Sequence, residues 1–292
     1  MLEHLKPSGA FRTTDGVRLG ITRGQLQTRF RTVHRGVHVG RDEQLELEDR
    51  CRALGLLLGP DAVFSHHTAA ALHGAPVPDE PLLHISTRAT AEPRINGVVA
   101  HRLRDLGPVH TVNGLRLTSP ARTFVDLAAL LDLTNLVCTA DFLAAQEATG
   151  VQALRQQVLL GRGRRGVRLA RLAIELINPR SMSYMESKLR LILVLAGLPE
   201  PDVNEVVYDA RGNWVACPDL SWRPILLGLQ YEGNHHRIDA RQWHRDIGRD
   251  EGMVELGWTV LRITADDVNV NPAATIVRIR RTYDRLSRKR AA

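Results

Sequence analysis

Cysteine is nearly absent from this sequence: Cys51, Cys138 and Cys217 stand far apart among 292 residues, with no CxxC pair. That excludes a disulfide framework and a cysteine-rich zinc site, and leaves the three as small buried apolar residues. Aromatics make up only 4% of the chain, and Lys6, Lys188 and Lys289 are its only lysines. The longest apolar run, Leu191 to Leu198, falls far short of the roughly 18–20 residues that a membrane helix needs. Met1 to Lys6 has no signal-peptide core, so a cytoplasmic location is expected.

What remains is an ordinary globular composition, 43% hydrophobic and 24% charged, in a chain long enough for two domains of typical size. The formal net charge of +7 favours a polyanionic partner. Its distribution says more than its sum. Residues 1–40 carry seven basic side chains (Lys6, Arg12, Arg18, Arg23, Arg29, Arg31, Arg35) against Glu3 and Asp15. Further basic clusters occupy 162–171 and 278–290. Such clusters either contact nucleic acid or are solvated faces in an arginine-rich protein.

All five Phe precede residue 150, whereas every Trp and Tyr follows residue 180. Two cores of different make-up are implied, with a boundary in 150–182, where Gly161 to Gly166 reads as a glycine- and arginine-rich turn. The expected organisation is α+β. A winged helix-turn-helix spans 1–40, an α/β region 41–150, a basic linker or helix 151–181 and an α/β domain 182–292.

Within 1–40, a short helix ends near Gly20, Thr22 caps a second helix through Arg29, and Gly36 turns a pair of brief strands over 32–39. Such a module would place Arg23, Gln25 and Arg29 in a major groove and Arg31 and Arg35 on phosphates. The alternative is a small basic subdomain docked on the rest. Helices are expected at 43–58 and 65–73, strands near 82–86, 98–102 and 115–117, and a helix opened by Ser119-Pro120 running to about Leu131. Arg122 and Asp126 have the spacing of an i,i+4 ion pair. His66, His67 and His73 lack acidic or cysteine partners at ligand spacing and are expected to be core or surface residues. The segments Ser65–Gly74 and Ser119–Ala128 resemble AbiEi-type antitoxins, which carry a small winged helix ahead of these motifs. The resemblance implies DNA binding by the first 40 residues, a repressor role and a cognate toxin as a possible partner.

From Ser183 the pattern is helix, hairpin, strand, helix, strand, helix. Ser183 with Glu186 has capping-box spacing, 204–209 and 214–221 alternate as strands, and Ile225–Tyr231 is a continuous apolar run suited to a central strand. Gln230 and Glu232 share one face of that strand, and Asp219 can join them from its neighbour. Three oxygen-bearing groups then converge as a hard cation such as Mg²⁺ requires. A helix over about 240–256 and a strand over 258–264 follow. Trp214, Trp222 and Trp258 are expected in the core.

Pro218-Asp219, Gln230 to Gly233, His235-His236-Arg237, Trp243 with Asp246 and Asp250, and Gly257 to Thr264 resemble the very-short-patch-repair-type endonuclease domain of the PD-(D/E)XK superfamily. The resemblance implies a restriction-endonuclease-like fold over about 182–290 and hydrolysis of DNA phosphodiesters with Mg²⁺ or Mn²⁺. It implies metal binding at Asp219, with Glu232 and Gln230 completing the set, and support from Glu186. It also implies an acid, base or phosphate-contact role at His235 or His236, while Arg237 could touch the DNA backbone. One departure matters: Gln230 stands where that family usually has a carboxylate, removing one negative charge from the site. Either Glu232 restores it, or the domain keeps only DNA binding.

Overall fold

The computed structural model describes residues 9–89, 93–103, 105–146, 150–232 and 252–291. The chain divides into two compact units, Met1–Leu130 and Leu131–Ala292, and both mix helix and strand. Among the described residues no helix is long and apolar enough to cross a membrane.

The first unit opens with β1 (Phe11–Arg12), α1 (Thr13–Arg18), α2 (Arg23–Arg29), β2 (Phe30–His34) and β3 (Val37–Gly40), the strands ordered β1-β3-β2. The Thr22 hydroxyl accepts from the Gln25 amide at 3.3 Å while the Gln25 side chain accepts from the Thr22 amide at 2.8 Å. This reciprocal cap satisfies two donors that α2 would otherwise leave orphaned. Phe11, Ile21, Leu26 and Phe30 form a small core, the Phe11 and Phe30 rings meeting edge to face at 4.9 Å. A Cβ at Gly16 would lie 2.8 Å from the Phe11 ring, so any larger residue there must displace that ring from the small core.

Next come α3 (Leu47–Gly55), β4 (Ala62–Phe64), α4 (His66–Leu72), β5 (Leu83–Thr87), β6 (Val98–Arg102), β7 (Val109–Val112), β8 (Leu115–Thr118) and α5 (Pro120–Leu127). The five strands form one mixed sheet, β6-β5-β4-β8-β7, with β5/β6 and β4/β8 parallel. Cys51, Leu54, Phe64, Ala69, Ile85 and Leu117 pack between sheet and helices. Every residue of α5 is buried, including Arg122, whose Nε donates to Asp126 Oδ1 at 2.7 Å. The i,i+4 spacing thus serves a buried structural pair rather than a surface one.

The second unit begins with α6 (Leu133–Ala145), α7 (Gly150–Leu160), α8 (Val167–Ile174) and α9 (Tyr184–Leu195). These helices pack on one another, so the division between units falls at Leu130, ahead of the 150–182 stretch expected from composition. Arg190 on α9, only 1% exposed, ties them: it donates to Asp141 on α6 at 3.2 Å, to the Leu176 carbonyl at 2.6 Å and to Glu200 at 2.7 Å. Burial pushes the Asp141 carboxyl up to about 6, although Arg190 pulls the other way.

A four-stranded sheet ordered β14-β13-β12-β9 follows, built from β9 (Asp202–Val203), β12 (Leu220–Trp222), β13 (Leu227–Glu232) and β14 (Thr259–Thr264). The first three strands run antiparallel, and β14 joins β13 in parallel. A hairpin of β10 (Val207–Tyr208) and β11 (Trp214–Ala216) stands apart, and α10 (Ala265–Asn269) and α11 (Pro272–Ala291) close the chain. Residues 252–255 are helical, as the C-terminal end of the expected 240–256 helix would be. Leu189, Leu193, Leu220, Trp222, Leu227, Leu229 and Ile263 make the core between α9 and one sheet face. Trp222 and Trp258 are buried as expected, but Trp214 is 51% exposed because it sits on the small outer hairpin instead of the main sheet.

Candidate functional site

Antiparallel register pairs Leu220 with Leu229, which carries Asp219 across from Gln230. Strand alternation then sorts the side chains: Leu227, Leu229 and Tyr231 pack on the α9 core, leaving Gly228, Gln230 and Glu232 on the opposite face. Gln230 Nε2 donates to Asp219 Oδ1 at 3.1 Å, and the Tyr231 amide donates to Asp219 Oδ2 at 2.5 Å. Burial, with the negative charge of Glu186 adding to it, pushes the Asp219 carboxyl up to about 7; the Tyr231 and Gln230 hydrogen bonds oppose that rise. A carboxyl destabilised by desolvation and a like charge is a recognised mark of a functional site.

Glu186 sits in the first turn of α9, where Ser183 Oγ accepts from its amide at 3.2 Å. Its carboxylate does not close the reciprocal box. Oε2 instead accepts from the Met182 amide and from Asn204 Nδ2, both at 2.9 Å. Glu232 points to Arg262 on the parallel neighbour β14 and forms an ion pair with it, both side chains being well exposed. The structure therefore brings Asp219 and Gln230 into contact, places Glu186 near enough for its charge to be felt, and engages the Glu232 carboxylate with a cation. His235, His236 and Arg237, together with Trp243, Asp246 and Asp250, lie outside the described residues.

Of the basic residues in the first 40, Arg23, Arg29 and Arg35 are exposed, Arg35 on the β2–β3 turn. Gln25 is committed to its cap. Arg31 donates to the Glu43 carbonyl at 2.7 Å, so part of its fork holds the chain that leaves β3. Arg162, Arg165, Arg168 and Arg171 around α8 are exposed, as are Arg281, Arg285, Arg288, Lys289 and Arg290 along α11.

A second constellation was not legible from the spacing of His66 and His67 alone. His66 and His67 open α4, directly after β4, and His66 adopts a left-handed backbone, φ 50°. Sheet register brings two more histidines beside them, His84 from β5 and His101 from β6, and Glu80 joins from the loop before β5. His84 Nδ1 lies 3.0 Å from His101 Nε2, and Glu80 Oε2 lies 3.8 Å from His84 Nε2. The His66 and His101 rings stack at 3.7 Å. Among the described residues, two sets bring one ligand atom from each member within 4.8 Å: His66, His84 and His101, and His67, Glu80 and His84. His84 Nε2 and His67 Nδ1 are buried without a hydrogen-bond partner. Burial lowers the imidazoles of His66, to about 2, and of His84, to about 4, with neighbouring histidines adding to the effect. His67 is lowered by burial too, against the pull of Glu80. The expectation that no acidic partner stands at ligand spacing counted only residues close in sequence. Glu80 and His84 stand on one strand and its leading loop, a separation of four, and that was the available signal.

No family model matches this chain. It is similar to two uncharacterized proteins of Mycobacterium tuberculosis, MT2308 of strain CDC 1551 / Oshkosh and Rv2248 of strain H37Rv. Each is 29% identical over 270 residues, covering 91% of this chain and 98% of the relative.

Proposed function

We propose that this protein binds DNA and that its second unit hydrolyses phosphodiester bonds with the help of Mg²⁺ or Mn²⁺. The observation that carries the reading is the meeting of Asp219 and Gln230 on one sheet face, with Glu186 close enough to oppose the ionisation of Asp219. The frame under the site is a mixed sheet, three antiparallel strands with β14 added in parallel, packed on α9 by its other face.

In kind, the donors suit a hard cation, since Asp219, Gln230 and Glu186 all offer oxygen. In charge they are lean, because Gln230 is neutral and Glu232 is held by Arg262. Two carboxylates that repel each other at a half-buried position are relieved by a cation, so the set fits an ion that takes few protein ligands and keeps several waters. When bound, such an ion supplies a more acidic water and stabilises charge on the phosphate under attack. Asp219 and Gln230 hold the site, the Tyr231 amide fixes the carboxylate plane, and Asn204 and the Met182 amide orient Glu186. Arg262 stands beside the site and offers a guanidinium to a phosphate oxygen once Glu232 releases it. The exposed Arg23, Arg29 and Arg35 of the first 40 residues supply DNA contact, in the manner of a winged helix.

A specific observation favours a second reading, a non-catalytic DNA-binding repressor or antitoxin. The Gln230 amide donates to Asp219 and Arg262 neutralises Glu232, which leaves the polar set satisfied from within. Supercoiled plasmid incubated with the full chain and Mg²⁺ or Mn²⁺, beside Asp219→Ala, separates the two. The nuclease reading expects nicking that Asp219→Ala abolishes, and nicking that survives the substitution removes the assignment. A silent wild type with cleavage gained in Gln230→Glu shows that the amide disarms the site, and the second reading then expects a salt-sensitive gel shift on the protein's own promoter that is lost on deleting residues 1–40.

A further inference from the structure

We propose that His67, Glu80 and His84 form a binding site for a late first-row divalent cation, Zn²⁺ above all, in the first unit and independent of the acidic set on β12 and β13. Two imidazoles and one carboxylate are a donor set that zinc accepts in sites keeping a fourth position for water, whereas Mg²⁺ avoids nitrogen. The geometry is close to assembled. The three ligand atoms lie within 4.8 Å of one another, with Glu80 Oε2 and His84 Nε2 at 3.8 Å. Atoms bound to one tetrahedral zinc stand about 3.3 Å apart, so side-chain rotations of about 1 Å complete the cage.

Several features point these atoms at a ligand. His84 is 4% exposed and its Nε2, the atom that faces Glu80, has no hydrogen-bond partner; His67 contributes one ring nitrogen to the set, and its Nδ1 is buried without a hydrogen bond. Buried polar atoms in native proteins are nearly always satisfied, so two unpaired ring nitrogens near one carboxylate call for an occupant. His84 Nδ1 and His101 Nε2 share a hydrogen bond at 3.0 Å that orients the ring, and in the tautomer that carries its proton on His84 Nδ1 the Nε2 lone pair is free, the arrangement that metal-bound histidines show. Glu80 is anchored by its other oxygen, Oε1, which accepts from the Leu82 amide at 3.0 Å. Its side chain is partly exposed and gives the ion access to solvent.

The competing set, His66, His84 and His101, is poorly aimed. The His66 and His101 rings stack with planes 20° apart, so their in-plane lone pairs cannot both converge on one ion. His66 Nδ1 is already 2.9 Å from Ser65 Oγ, and His84 Nδ1 is used by His101.

The test titrates the EDTA-stripped full chain with ZnCl₂ against a chromogenic chelator, and records the visible spectrum with Co²⁺. One Zn²⁺ per chain and a tetrahedral Co²⁺ band are expected, with no competition from Mg²⁺. His67→Gln and Glu80→Gln sit at partly exposed positions and keep the metal-free melting temperature, yet each weakens Zn²⁺ binding by at least about tenfold. His110→Gln, outside the set, leaves binding unchanged. The proposal is overturned if the wild type takes no stoichiometric Zn²⁺, if His67→Gln and Glu80→Gln bind as tightly as wild type, or if His66→Gln alone abolishes binding.

Discussion

Replacing Asp219 by asparagine should make the metal-free protein more stable at alkaline pH, the opposite of what removing a structural carboxylate does. The carboxyl titrates near 3.8 in an unfolded chain and at about 7 in the fold, because it is buried and faces Glu186. Between those values the folded state keeps a proton that the unfolded state has lost. Stability therefore falls as pH rises through that window, and the penalty is fully present above pH 7. A rise of about 3 pH units corresponds to about 4 kcal/mol, an upper figure for a site that solvent partly reaches. An amide carries no such penalty. The introduced asparagine would keep its oxygen on the Tyr231 amide, and the Gln230 amide would turn over to accept from the asparagine nitrogen, so both hydrogen bonds survive.

Urea unfolding of EDTA-treated wild type and Asp219→Asn at pH 4, 6 and 8, followed by the fluorescence of Trp222 and Trp258, checks this. The two should coincide at pH 4 and separate steadily to pH 8, with the variant the more stable. Addition of Mn²⁺ at pH 8 should then stabilise the wild type alone, since the cation relieves a repulsion that the variant lacks. A variant that is less stable at pH 8, or a difference that ignores pH, refutes the reasoning: Asp219 would then be an ordinary ionised structural carboxylate.

Gln230→Glu places a third negative charge beside Asp219 and Glu186, and should tighten Mn²⁺ binding by about tenfold in calorimetry while destabilising the metal-free protein. Arg190→Met strands the buried Asp141 carboxylate without its guanidinium and should cost about 3–5 kcal/mol in urea unfolding, with part of the loss recovered when Asp141→Leu is combined with it. Arg23→Ala combined with Arg29→Ala removes two exposed cations from α2 without touching its Thr22 cap. The slope of log K for DNA against log salt should fall by about 2, and an unchanged slope would take α2 out of the DNA interface.

Local features of the fold were legible because they are written in short spacings. Thr22, Ser119 before Pro120 and Ser183 before Glu186 each announce a helix start, and each forms its cap, though the Gln25 expected in a major groove turns out to close the Thr22 cap. Arg122 and Asp126 meet for the same reason. The three-residue β4 and four-residue β7 were missed because they are too short for alternation to distinguish them from loop. Their omission mattered, since β4 is the central strand that aligns α4 with β5. What escaped sequence reasoning was register. That Asp219 reaches Gln230 follows from one tight antiparallel pair, and strand periodicity foresaw it. That Glu232 is met by Arg262, thirty residues on, depends on how β14 lines up in parallel with β13. Bringing His84 and Glu80 to His67 depends on two strands, a helix and a loop at once.

The two constellations carry opposite physical signatures, and these separate their ligands. On β12 and β13 the oxygens have hydrogen-bond donors and the strain is electrostatic, a carboxyl deprived of its charge by burial and Glu186. At α4 and β5 the imidazoles are neutral and the deficit is in partners, two buried ring nitrogens without a hydrogen bond. A hard cation relieves the first by charge alone; a nitrogen-seeking ion relieves the second by forming bonds. Amide exchange on the full chain should therefore respond to the two ions in different places. Mn²⁺ should slow exchange in 219–232 and leave 66–87 unchanged, and Zn²⁺ the reverse. Protection of both segments by either ion would mean that the sites are not chemically distinct, and the separation argued from partners and charge would fall.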